Sequence, residues 1–174
     1  MRYVRYVCFA LMAAALMGCS AVSGGGGSSE VLISSKDYGF AVEFPATPTY
    51  SETPPANGAL ERGSWEVAGE DGSLTVAAQR LRGAPPQAFA KTVLEAVARD
   101  FEKRSAGEVV SRQETTFLGG PALDLVQRVD GAEARTRLVI LGDRHYEIGV
   151  RAKGGTPDGK DYEHLLSSFR RLPA

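Results

Sequence analysis

Apolar residues recur along this chain with two different spacings, and each change of spacing marks an element. Gly39-Phe40-Ala41-Val42-Glu43-Phe44-Pro45 sets Phe40, Val42 and Phe44 against small or charged neighbours, the alternation of a half-buried strand that stops at proline. Ala46 to Gly58 is proline-rich with few large apolar residues and reads as a surface loop. Trp65 and Val67 then alternate towards Asp71-Gly72, and Leu74, Val76 and Ala78 continue beyond it, which predicts a hairpin. After Pro85 and Pro86 the spacing becomes helical, with Phe89, Val93, Val97 and Phe101 on one stripe that Leu94 and Ala96 widen. Lys103, Arg104 and Gly107 suit the end of that helix, and a stripe so broad suits packing on a sheet.

From Glu108 the alternation returns in four runs, Glu108 to Leu118, Ala122 to Val129, Glu133 to Leu141 and Arg144 to Ala152. They are joined by Gly119-Gly120, Asp130-Gly131 and Gly142-Asp143, which predicts an antiparallel meander. A two-residue turn at Asp130-Gly131 brings Arg128 opposite Glu133 and Asp124 opposite Arg137 on one side, with Leu123 opposite Leu138 on the other. A two-residue turn at Gly142-Asp143 puts Tyr146, Ile148 and Val150 on the face of Val139 and Leu141, a face that also carries Arg135 and Arg137. Both faces are then partly apolar, so the expectation is cover on both sides; a three-residue turn would segregate them instead. Tyr162, Leu165, Leu166 and Phe169 at i, i+3, i+4 and i+7 predict a docking helix, entered through Thr156-Pro157-Asp158.

The first thirty residues follow other rules. Arg2 and Arg5 precede an apolar run from Val7 to Met17, the charged and apolar regions of an export signal. The run is short of the roughly 20 residues that a membrane-spanning helix needs. Leu16-Met17-Gly18-Cys19 resembles the bacterial lipobox. That resemblance implies cleavage between Gly18 and Cys19 and lipidation of Cys19, with palmitate among the expected acyl chains. Ser20 to Ser29, with its run of glycines, reads as a flexible tether. In lipoproteins of diderm bacteria an Asp after the cysteine favours inner-membrane retention, so Ser20 favours the outer membrane for a diderm host. The expected organisation is a signal peptide over 1–18, a lipidated cysteine and tether over 19–29, and one globular α+β domain over 30–174.

Across roughly Lys36 to Leu172, the Phe-x-Val-x-Phe-Pro strand, hairpin, amphipathic helix, meander with Tyr146-x-Ile148-x-Val150, and final helix ending in Ser168-Phe169-Arg170 together resemble the PsbP-like family. That family comprises the extrinsic subunit P of the oxygen-evolving complex and bacterial relatives. The resemblance implies an antiparallel sheet with helices on both faces, an α/β/α sandwich. It implies little about function, because one fold hosts many.

Composition narrows the chemistry. Taking Arg2 and Arg5 from 20 basic residues leaves 18 against 21 acidic ones, a net charge of −3 after cleavage and no electrostatic footprint for nucleic acid. The two cysteines are Cys8, inside the signal, and Cys19, so the domain has no thiol for a disulfide, a metal or a nucleophile. Gly154-Gly155-Thr156-Pro157-Asp158-Gly159-Lys160-Asp161 approximates a phosphate-binding loop, but Asp161 stands where Ser or Thr is needed; it reads as a helix-entry turn, with no nucleotide partner. His145 and Glu147 share a strand face and offer two metal ligands or a base and its orienter. The other histidine, His164, falls on the outer side of its helix, opposite Tyr162, so no third ligand and no metal are expected. Arg112, Arg128, Arg135 and Arg137 form a candidate basic strip that Asp124 and Glu133 turn into a salt-linked face.

No catalytic residue and no cofactor follow from these patterns. The expected function is a non-catalytic accessory or interaction module, anchored to a membrane through Cys19, with an envelope protein as partner. The alternatives are a carrier or sensor of a small apolar ligand, and an enzyme, which requires His145, Glu147 and an arginine to converge in one cleft. Cys19→Ser should block acylation and leave an uncleaved, larger precursor whose domain folds normally, as read by gel mobility, fatty-acid labelling and detergent partition. A wild-type protein that is unlabelled and cut elsewhere in residues 18 to 30 would leave only secretion standing.

Overall fold

The described residues of this computed structural model are 30–53 and 61–173; the expected signal peptide, Cys19, the expected tether and part of the proline-rich loop lie outside them. The Phe40 segment forms strand β2 (Phe40–Phe44), paired antiparallel with β1 (Val31–Ser35). Strands β3 (Thr49–Thr53), β4 (Arg62–Ala68) and β5 (Gly72–Arg80) follow, then one 3-10 turn at Gln87–Phe89 and helix α1 (Ala90–Ser105). The meander is β6 (Glu108–Phe117), β7 (Gly120–Val129), β8 (Ala132–Leu141) and β9 (Arg144–Ala152). Helix α2 (Gly159–Ser168) and the short β10 (Arg170–Arg171) complete the chain.

The larger sheet runs β3-β4-β5-β9-β8-β7-β6, with every neighbour antiparallel, and the smaller runs β1-β2-β10. Both two-residue turns form as the pattern requires. Val129 pairs with Ala132, Asp124 with Arg137 and Leu123 with Leu138, and beyond Gly142-Asp143 Leu141 pairs with Arg144 and Val139 with Tyr146. Asp130 and Gly131 both have positive φ (53° and 80°), the conformation that matches strand twist and that Asp-Gly readily adopts.

The register makes both faces of the larger sheet apolar, and both are covered. Leu94 and Ala98 of α1 lie on Leu123, Leu125, Leu138 and Ile140. On the other face Tyr146, Ile148 and Val76 meet Phe40, Val42 and Phe44 of β2 and Tyr162, Leu165 and Leu166 of α2. The expected α/β/α sandwich therefore holds in part: one face is covered by a helix, the other by a helix together with a second sheet. Phe169, fully buried just after α2, stacks on Phe40 at 5.4 Å between centroids and meets Tyr146 edge-on at 5.1 Å.

Several expectations need correction. The proline-rich loop contains a strand, since β3 pairs with β4 from Thr49↔Glu66 to Thr53↔Arg62. Phe89 sits in the 3-10 turn and is exposed, while Ala98 takes the buried place expected of Ala96. The β6–β7 turn is Leu118-Gly119, one residue earlier than expected. Gly120 enters the strand instead, where a Cβ would stand 2.3 Å from the Ile140 carbonyl oxygen. Phe169→Ala should cost about 3–5 kcal/mol in chemical denaturation, because it leaves a cavity among three rings and unseats β10. A loss below about 1 kcal/mol would show that this ring cluster does not hold α2 down.

Candidate functional site

Alternation along β9 sends Tyr146, Ile148 and Val150 into the core beneath β2 and α2, and therefore turns His145 and Glu147 to the α1 face. Both are buried, at 2% and 5% exposure. An ionised carboxylate so placed needs partners. Arg62 reaches it from β4, its Nη2 donating to Glu147 Oε2 at 2.6 Å; Arg104 reaches it from the last turn of α1, its Nη2 donating to Oε1 at 2.8 Å. Arg104 Nε is held in turn by Asp100 Oδ2 at 2.9 Å, one helical turn back. His145 Nε2 lies 3.9 Å from Glu147 Oε1, too far for a hydrogen bond, and has no partner.

Burial lowers the His145 imidazole to about 4; Glu147 opposes that shift, while Arg104 and Arg62 reinforce it. For Glu147, burial alone would raise the carboxyl, but the positive charge of His145 when protonated, with that of Arg62 and Arg104, overrides it and the group is lowered. At neutral pH the cluster is thus a neutral histidine beside a carboxylate clamped by two guanidinium groups. With a charged donor on each oxygen and its carboxyl lowered, such a carboxylate is a weak general base.

Arg62 and Glu147 form part of the wall of an open cleft of about 280 Å³ between the end of α1 and the β4–β5–β9–β8–β7 surface. Thr75, Gln127, Thr136 and Gly149 line it from the sheet, and Phe101 and Ser105 from α1, with Gln127 Nε2 donating across to Ser105 Oγ at 2.8 Å. Charged and hydroxyl side chains are numerous in the lining, but more of its exposed surface is apolar, from Phe101, Val129, Ala134 and Val150. On the other face, the space between the sheet and α2 is filled by the fully buried Phe40, Phe44, Tyr146 and Phe169.

His145, Glu147 and two arginines therefore do converge, while the other candidates separate. His164 is not alone on an outer surface as expected: it is half-buried, with Nε2 3.5 Å from Glu30 Oε1 and 3.8 Å from Glu43 Oε2. Lys160 lies at the start of α2, where Asp158 caps the helix by accepting from the Lys160 N–H at 3.0 Å, so the glycine-rich segment is a helix-entry turn. The arginine strip is dispersed into ion pairs: Arg137 chelates Asp124 through two bonds of 2.6 and 2.7 Å, Arg135 takes Glu133, Arg128 turns to Glu108, and Arg112 crosses to Glu95 and Glu102 of α1. Cys19 and its cleavage site lie outside the described residues. Arg62 and Arg104 were missed, because nothing in local spacing links them to a strand 85 and 43 residues away.

No protein-family model matches the chain, and no curated protein is similar to it in sequence. Among solved structures it is similar to the solution structure of cyanobacterial PsbP (CyanoP) from Synechocystis sp. PCC 6803, with a TM-score of 0.59 and 14% identity over 90% of this chain and 99% of that one. A crystal structure from Bacteroides thetaiotaomicron VPI-5482 matches more loosely, with a TM-score of 0.43 and 14% identity over 77% of this chain and 45% of that one. The fold is PsbP-like.

The two groups give the fold an acid limit with a definite sign. His145 stays neutral when folded but takes a proton near pH 6.5 when unfolded, so stability falls as pH drops from about 6.5 to about 4. Glu147, lowered in the fold, adds stability above its unfolded value that is lost as pH falls through its folded one. His145→Gln should remove a loss on the order of 3 kcal/mol across the first window. Parallel stability profiles for variant and wild type from pH 7 to 4.5 would refute this assignment.

Proposed function

We propose that the protein is a lipid-tethered, non-catalytic accessory module of the cell envelope, held at a membrane by acyl chains on Cys19 and acting by docking on another envelope protein. The observation that carries the reading is the PsbP-like fold, joined to a lipobox-like Leu16-Met17-Gly18-Cys19 and a glycine-rich tether. No described helix is long and apolar enough to cross a membrane, which leaves attachment in this reading to the lipid. For a diderm host the outer membrane is the favoured site. The clamped Glu147 and closed-off His145 favour a structural role for the best cluster of ionisable groups over an enzymatic one.

The docking surface proposed is the β3 edge. At the opposite edge, β6 is blunted against strand addition by an irregularity between Val109 and Ser111 and by Glu108, Arg112 and Glu114. Strand β3, Thr49-Tyr50-Ser51-Glu52-Thr53, is exposed along its length and carries a single charge. A photo-reactive residue at Ser51 should capture one defined envelope protein from the host membrane, and the same residue at Ser111 on β6 should not. Recovery of monomer alone with several crosslinkers would count against a docking role, and capture only from Ser111 would move the surface to the other edge.

A further inference from the structure

Glu30, Glu43 and His164 come from three separate parts of the chain: the residue before β1, strand β2 and helix α2. One oxygen of each carboxylate and one nitrogen of the imidazole lie within 4.8 Å of one another. From His164 Nε2 the two oxygens are at 3.5 and 3.8 Å, beyond hydrogen-bond length for an N–H donor. Nε2 is also shut off from solvent and has no hydrogen-bond partner. A ring nitrogen shut off from solvent thus faces two carboxylate oxygens without a hydrogen bond to either, and the three ligand atoms converge on one point. Bonds of about 2.0–2.2 Å to a tetrahedral zinc ion separate neighbouring ligand atoms by about 3.3–3.6 Å, close to the 3.5 and 3.8 Å from His164 Nε2 to the two carboxylates, and the three atoms need only draw together from within 4.8 Å.

The surroundings agree with this. Arg170 Nη2 donates to Glu43 Oε1 at 3.2 Å, which occupies one oxygen and leaves Oε2 towards His164. Such outer contacts orient a ligating carboxylate. His164 is held on a helix anchored by the buried Leu165 and Leu166, which pack in the same core as Val42 and Phe44 of β2.

We infer that Glu30, Glu43 and His164 form a site for a divalent transition-metal ion, with zinc the best fit to one imidazole and two carboxylates and a fourth position open to water. Calcium and magnesium, which favour all-oxygen sites with more ligands, fit it poorly. The bound ion would fasten the first residue of the domain, directly after the tether sequence, to α2.

The test is calorimetric titration of the full chain with Zn²⁺, with Cys8 and Cys19 blocked by iodoacetamide so that no thiol competes. One ion should bind per chain, and His164→Ala, His164→Gln and Glu43→Gln should each weaken binding at least about tenfold without loss of the folded circular-dichroism signal. Co²⁺ should give the intense visible bands of a tetrahedral site, absent in His164→Gln. His145→Gln, altered on the opposite face of the larger sheet, should bind as wild type does. No zinc uptake, uptake unchanged by both His164 substitutions, loss of uptake in His145→Gln, or displacement of zinc by equimolar Ca²⁺ would each overturn the assignment. The first outcome is that of a plain ion pair between His164 and its carboxylates.

Discussion

The turn at Gly142-Asp143 makes Leu141 and Arg144 direct partners, and the rest of the structure is constrained by that pairing. Side chains on a strand alternate, so a slip of one residue there would carry Tyr146, Ile148 and Val150 to the opposite face. With the observed register, β9 adds its aromatic and branched residues to Val139 and Leu141, while Leu138 and Ile140 look the other way. A central strand pair with large apolar residues on both faces is stable only between two covering layers. Helix α1 supplies one, and β1-β2-β10 with α2 supplies the other.

The same parity creates the buried charge. Once Tyr146 and Ile148 are inside one core, His145 and Glu147 have no route to solvent except through the layer under α1. Two arginines bring compensation to the carboxylate there, one from the sheet and one from the helix. Because removing one partner of a buried pair strands the other, the arrangement ties the end of α1 to β4 and β9 by a directional contact that apolar packing alone does not supply. Arg112 with Glu95 and Glu102, and Lys91 with Glu114, make the matching ties to β6 on the other flank of the helix. These exposed pairs are individually weak, and their role is alignment more than stability.

Much of the fold was legible because its determinants are local. The strand at Phe40, both two-residue meander turns and the final helix all declare themselves in spacing and turn residues, and a meander joins neighbours in sequence to neighbours in space. What was not legible depends on pairing across distance. Strand β1 has serines at Ser34 and Ser35 and an exposed Leu32, so only its partner β2 makes it a strand. Strand β3 lies in a proline-rich stretch and is exposed throughout, and its formation rests on the β4 edge and on Tyr50 packing against Trp65 at 4.9 Å. Ala98 outranks Phe89 in burial because the helix axis, set by Leu123 and Leu138, decides which stripe faces inward. Of the candidate site, His145 and Glu147 could be named from strand parity, but their arginines and the Glu30–Glu43–His164 grouping exist only after folding.

Covering both faces of the larger sheet also limits how such a domain can engage anything else. Most of the apolar surface that drives folding is buried within the chain, which leaves sheet edges, the cleft beside Glu147 and scattered exposed residues such as Leu32, Phe89 and Val110 as contact surface among the described residues. An edge strand offers unpaired backbone groups to any added strand and is selective only through the side chains that flank it. On β6 the charged Glu108, Arg112 and Glu114 flank a register irregularity at which Val109 and Val110 are exposed, while on β3 the side chains are mostly hydroxyls with a tyrosine seated on Trp65. The two ends of the sheet are therefore unequal: one resists augmentation and the other lacks that resistance. That asymmetry distinguishes the two ends of the larger sheet by backbone groups and flanking side chains, not by apolar area, because the strands between them have both faces covered.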